Sequence, residues 1–201
     1  PVVKQKQVPA KQVQAPLRGS DQPIEPDWET SFATTDDADV FTVIDANNDG
    51  LTWGWSDSYD GSMRSEYSAN NGNDDWLVTP PIHFLPGRQY IIKFNIRNAA
   101  TNWVNSFEVK YGEGDNPAQF TKTLQPTFEP KGDDFETRTY YLTFDEEVTY
   151  RFGFHDNTAE ANRYWLFLDD LSIEKGPLST SPAAVEDLEV TPAEQGKLKA
   201  T

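Results

Sequence analysis

Residues 90–97 read Tyr90-Ile91-Ile92-Lys93-Phe94-Asn95-Ile96-Arg97. Ile92, Phe94 and Ile96 fall on one face of an extended chain, and Lys93, Asn95 and Arg97 on the other. That period of two belongs to a strand with one face against a core. Phe107-Glu108-Val109-Lys110-Tyr111 repeats it. Working outward, short apolar runs recur from Trp28 to Lys175, separated by clusters of Asn, Asp, Gly and Pro. Strands are expected over 41–44, 75–78, 89–97, 106–111, 138–144, 148–155 and 165–174. Such spacing predicts an all-β fold, a sandwich of two antiparallel sheets with little helix. One short helix is expected over 116–124, with Asn116 as its cap and Pro117 at its first position.

Composition agrees with this reading and excludes several functions. Of 201 residues, 12 are Phe, 8 Tyr and 6 Trp, types that favour pleated, half-buried surfaces. The net charge of −16 argues against nucleic acid, whose phosphates need a basic surface, and against insertion at anionic membranes. Lys4, Lys6, Lys11 and Arg18 are the charges of the first twenty residues, leaving 13 bases against 33 acids, a net of −20, for the rest. This break, with the Gln-, Lys- and Pro-rich composition, marks 1–26 as a disordered linker or mature N-terminal tail. Residues 27–175 form the domain, and 176–181 (GPLSTS) a linker. A new alternating run starts at Pro182. With no cysteine there is no disulfide and no thiolate chemistry. No apolar run reaches membrane-spanning length. The start, Pro1-Val2-Val3-Lys4, has no apolar leader, which is read as a leader already removed or a segment cut from a longer protein.

Three motifs carry candidate chemistry. In Asp45-Ala46-Asn47-Asn48-Asp49-Gly50, the oxygen side chains of Asp45, Asn47 and Asp49 alternate before a glycine, as in loops that wrap calcium. An EF-hand is excluded, because its twelfth position would be Ser56; the plain alternative is a polar turn. In Trp165-Leu166-Phe167-Leu168-Asp169-Asp170-Leu171, strand alternation directs either Asp169 or Asp170 toward the core. A buried carboxylate needs a cation or several donors, so calcium with Glu29 as a further ligand is expected, against a solvent-facing pair at a bulge. Among the aromatics Trp53, Trp55, Tyr59, Tyr67 and Trp103, most are read as core. Trp103, in a polar loop, is the candidate ligand contact, suited to stacking on a sugar. Catalysis finds no support: His83 and His155 show no metal-ligand spacing and no nucleophile elbow is present. A glycosidase carboxylate pair among 33 acids is the enzymatic alternative, while Asp145-Glu146-Glu147 reads as a turn.

Taken in order, Trp28-Glu29, Phe41 through Trp53, Asp75-Trp76-Leu77-Val78-Thr79-Pro80 and Trp165 through Leu171 resemble the cleaved adhesin domain of gingipains and haemagglutinins. They also resemble the related choice-of-anchor J domains of Bacteroidetes surface proteins. The family's loop usually reads Asp-x-Asp-Gly-Asp-Gly; here Asn47 and Asn48 replace its second Asp and first Gly, lowering the charge. The resemblance implies a jelly-roll sandwich with structural calcium, exported to the cell surface or beyond. It implies adhesion to a glycan or host surface protein, or an accessory or spacer role beside covalently attached neighbouring domains. The run from Pro182 is similar to the first strand of a fibronectin type III domain, truncated here over 182–201.

Overall fold

The computed structural model describes residues 21–67, 70–159 and 164–178, and the backbone alone of 190–193 and 197–200. Two six-stranded sheets stack face to face as a jelly-roll sandwich. The first contains β1 (Trp28–Thr30), β3 (Trp53–Ser56), β4 (Ser62–Ser65), β7 (Arg88–Asn98), β10 (Glu136–Thr143) and β12 (Leu166–Leu178). Its order is β10-β7-β12-β4-β3, with β1 beside the second half of β12. The second contains β2 (Thr42–Asp45), β5 (Asp75–Val78), β6 (Ile82–Phe84), β8 (Phe107–Gly112), β9 (Lys122–Phe128) and β11 (Val148–Asp156). Its order is β2-β5-β11-β8-β9, with β6 beside the first half of β11. All strand pairs within both sheets are antiparallel.

Alternation sets which side chains fill the core. On β7, Tyr90, Ile92, Phe94 and Ile96 are buried, and the residues between them face outward. They meet Phe107, Val109, Phe152 and Phe154 from the opposite sheet. Each such side chain contributes roughly 1.5–3 kcal/mol by leaving water. Trp53 and Trp55 pack here as well, with their indole N–H groups donating to the carbonyls of Asp75 and Phe32.

The structure departs from the sequence reading at three places. Over 116–124, Asn116 does cap a helical turn, but only Pro117–Gln119 is helical and Lys122–Phe128 is a strand. Thr121 and Thr123 are β-branched and favour extension, and Pro126 is tolerated because β9 is an edge strand. Thr35–Asp39 forms a five-residue helix α1, its capping box closed by Asp37 and Thr34. The tail also joins the body earlier than Asp27: Ile24 bridges Ile82, and Asp21 pairs with Arg151 at 2.9 Å. Residues 1–20 and 181–189 lie outside the described residues. Strand β12 runs on to Leu178, and β13 (Val190–Ala193) and β14 (Lys197–Ala200) form a hairpin.

Candidate ligand and metal site at one end of the sandwich

The loops after β2, β4, β7 and β11 gather at one end of the sandwich. Asn73 ties the loops after β4 and β11 together: its amide donates to the Asp156 carboxylate (2.8 Å) and to the Glu66 carbonyl (3.0 Å), and its N–H to the Thr158 carbonyl. Register then places Asp45, Asp75 and Asp156 opposite one another across β2, β5 and β11. They share the face of Leu77 and Phe154, two residues along, which is the inner face. This row of three carboxylates at the inner rim went unnoticed in the sequence. Its signal was an acid at the end of each of three apolar strands, visible only once they are paired.

The loop Asp45–Gly50 closes beside this row. The Asp45 carboxylate accepts the N–H groups of Asp49 (3.2 Å) and Gly50 (2.8 Å). Asn47 Oδ1 also accepts from Asp49, and Asp49 Oδ1 from Leu51. Asn48 and Gly50 take left-handed φ angles of 56° and 80°, as a tight Asx-rich loop requires. Asp75 is different: it is 1% exposed, and its Oδ1 has no hydrogen-bond partner. The nearby Thr52 hydroxyl forms no bond of ordinary geometry either. Burial first, then the charges of Asp156, Asp45 and Asp49, push the Asp75 carboxyl up to about 8, although Thr52 opposes the shift. Asp156 is also raised by burial, but Thr158 and Asn73 donate to it. Among the described residues, no group of three or more acidic or imidazole side chains is placed to hold a metal ion. The side chains gathered here are all hard-oxygen donors, the kind calcium takes, and one buried oxygen among them lacks a partner.

Glu29, Asp169 and Asp170 are placed elsewhere. Asp169 pairs with Asn95 on the outer face of the first sheet, where it is nonetheless buried, and Asp170 is exposed. A register shift between Asp169 and Ser172 gives Asp170 a left-handed φ of 47° and returns Leu171 to the core. Asp169 accepts the Asp170 N–H, and Asp170 accepts from the Asn95 amide. Burial raises the Asp169 carboxyl to about 6. Glu29 is exposed opposite Ser172, where Lys93 and Glu174 already pair.

Trp103 is 41% exposed at the same end as the Asp45 loop. Its ring stacks over Tyr164 (6.3 Å between centroids), which stacks on Trp165 (5.0 Å) and meets Tyr67 (5.0 Å). Arg64 lies over Trp165, and Glu66 accepts the indole N–H. Asn105 fixes the platform by bonding both the N–H and the carbonyl of Tyr164. Tyr67 was legible as an aromatic of the set; Tyr164 and Trp165 join it only through the loop contacts. His155 lies between Asp74 and Glu108, and His83 between Glu25 and Glu147, so both nitrogens of each ring face carboxylates.

No protein-family model matches this chain, and no curated protein matches it. Among solved structures, the K1 cleaved adhesin domain of Lys-gingipain from Porphyromonas gingivalis W83 superposes with a TM-score of 0.57 at 19% identity, covering 75% of this chain and 98% of that one. The K3 domain of the same protein gives 0.53 at 17% identity, covering 67% and 91%. The CBM22-1 xylan-binding domain of Xyn10C from Paenibacillus barcinonensis gives 0.50 at 9% identity, covering 83% and 97%. With two stacked antiparallel sheets in hand, this chain is similar to the cleaved adhesin domains of Lys-gingipain and has their fold.

Proposed function

We propose that this chain is a non-catalytic binding module of an exported protein, recognising a glycan on the Trp103 platform. The observation that carries the reading is the exposed Trp103 ring, backed by Tyr164, Trp165 and Tyr67. Stacked rings offer a rigid apolar surface to a sugar face at small entropic cost. Arg64, Glu66 and Asn105 border it with polar groups suited to hydroxyls. A xylan-binding domain of the same fold supports a glycan over a protein ligand. The engagement of both His rings with carboxylates supports a non-catalytic reading, since neither imidazole faces a hydroxyl nucleophile.

Calcium belongs to the same proposal. Asp45, Asn47, Asp49 and Asp75 would hold it, and when bound it would supply the positive charge that this acidic rim lacks. Glu66 borders the platform and Asp75 lies in the acidic row. The test is a glycan array followed by titration of the best neutral oligosaccharide. Trp103→Ala should weaken binding about tenfold, the worth of one good aromatic stack. Binding to no array member, or undiminished binding by Trp103→Ala, would leave the chain an architectural spacer.

A further inference from the structure

A second feature lies on the outer face of the first sheet. Tyr59 and Asp60 have left-handed φ angles of 62° and 64°, and Gly61 follows at 113°. Such conformations are costly for non-glycine residues and persist where the surroundings enforce them. The result is a Tyr59 ring, 43% exposed, set edge-on to Phe167 (5.0 Å) and Phe135 (5.3 Å). The Arg97 guanidinium lies over Tyr59 at 4.4 Å and over Phe135 at 5.4 Å. Its Nε donates to the Asn98 carbonyl, which fixes the plane.

What Arg97 lacks is a carboxylate. In a chain with 33 acids and 17 bases, Arg64, Arg138 and Arg151 each pair with an acid. Among the described residues Arg97 pairs with none. The acids one row away are engaged: Asp169 with the Asp170 N–H, Asp170 with Asn95. Beside the arginine the exposed Thr137 hydroxyl donates to Asn95 Oδ1, leaving the hydroxyl oxygen to accept from a sugar.

We propose that Arg97, seated over Tyr59 and Phe135, binds the carboxylate of a uronic or other carboxylated sugar while Tyr59 packs against its ring. An aromatic-held guanidinium presents its donors in a fixed fork that matches one carboxylate. The acidic surroundings disfavour densely charged chains such as nucleic acid. One carboxylate per sugar, with a hydroxyl for Thr137, matches the groups present. In register Phe167 lies between Arg97 and Arg64, so this site adjoins the Trp103 platform but uses none of its rings.

Titration calorimetry at low salt with a panel of oligouronides and sialosides, each beside its carboxyl-reduced counterpart, tests the proposal. At least one acidic member should bind, and its reduced form about tenfold more weakly or worse. Arg97→Lys, which keeps the charge but loses the fork, should cost a similar factor with an unchanged melting temperature. Tyr59→Ala should also weaken binding, and Trp103→Ala should leave it intact. Equal binding of acidic and reduced sugars, indifference to Arg97→Lys, or no acidic sugar bound at all would overturn it. So would preference for a peptide through its C-terminal carboxylate.

Discussion

Asp75 sits in register between Asp45 and Asp156, at the inner rim of the second sheet. Its buried, partnerless oxygen makes a clear prediction. In chelator at neutral pH a carboxyl held near 8 must take up a proton as the chain folds, which destabilises the fold by up to about 4 kcal/mol. Asp75→Asn should therefore raise the melting temperature in chelator and remove most of the gain from added calcium. Differential scanning calorimetry of both proteins, with calcium and with chelator, measures this. An unchanged calcium gain in Asp75→Asn would remove calcium from this loop. Asp170→Ala should keep the gain, because its carboxylate is committed to Asn95 on the outer face. Gly61 supplies a second test at this scale. A Cβ there would run into the Phe32 carbonyl, and its φ is 113°. Gly61→Ala should cost about 1–3 kcal/mol or more in urea unfolding, and should loosen the Tyr59 loop.

Elements are fastened by contacts between segments distant in sequence. The stretch from Asp21 to Glu25 is a strap: Ile24 hydrogen-bonds along β6, Asp21 meets Arg151, and Glu25 meets His83 at 2.6 Å. Glu147, from the turn between β10 and β11, meets the other nitrogen of His83 at 2.9 Å. The hydrogen bonds His83 donates to Glu25 and then Glu147 raise its pKa, and its slight burial opposes them only weakly. Because the folded state holds this proton more tightly than the unfolded state, the stabilisation is complete below about pH 6.5. It is lost as pH rises through the raised value. Melting temperatures of the parent and His83→Gln should differ most in mild acid and converge in alkali. A constant gap across that range would show that the imidazolium does not hold the strap. The effect should be small, since both carboxylates are largely exposed.

The whole molecule is held by the inner faces of two sheets, and Phe94 lies at their meeting point. Its ring contacts Phe107 and Phe154 from the opposite sheet and Tyr140 from the neighbouring strand. Phe94→Ala should cost about 3–5 kcal/mol, with the sheet content seen by circular dichroism retained at low temperature. A cost below about 1 kcal/mol would show that the core closes over the gap. That Phe94 faces inward was already legible in residues 90–97, since a period of two assigns faces without any knowledge of partners. The all-β class, the jelly-roll resemblance and the exposed Trp103 were legible for similarly local reasons. The outward position of Asp169 was not, because a β-bulge breaks alternation through the pairing of β12 with β7 and β1. Nor was strand β9, whose first three residues, 122–124, read as the end of a short helix until β8 paired with the strand. The aromatic platform and the acidic row follow the same rule, for each unites side chains from several loops or strands. By itself the sequence determined which faces are apolar and where the chain turns, since these depend on neighbouring residues. Only the tertiary structure decided that Asp45, Asp75 and Asp156 share a rim and that Arg97 pairs with no acid among the described residues, because register between distant strands sets which charges meet.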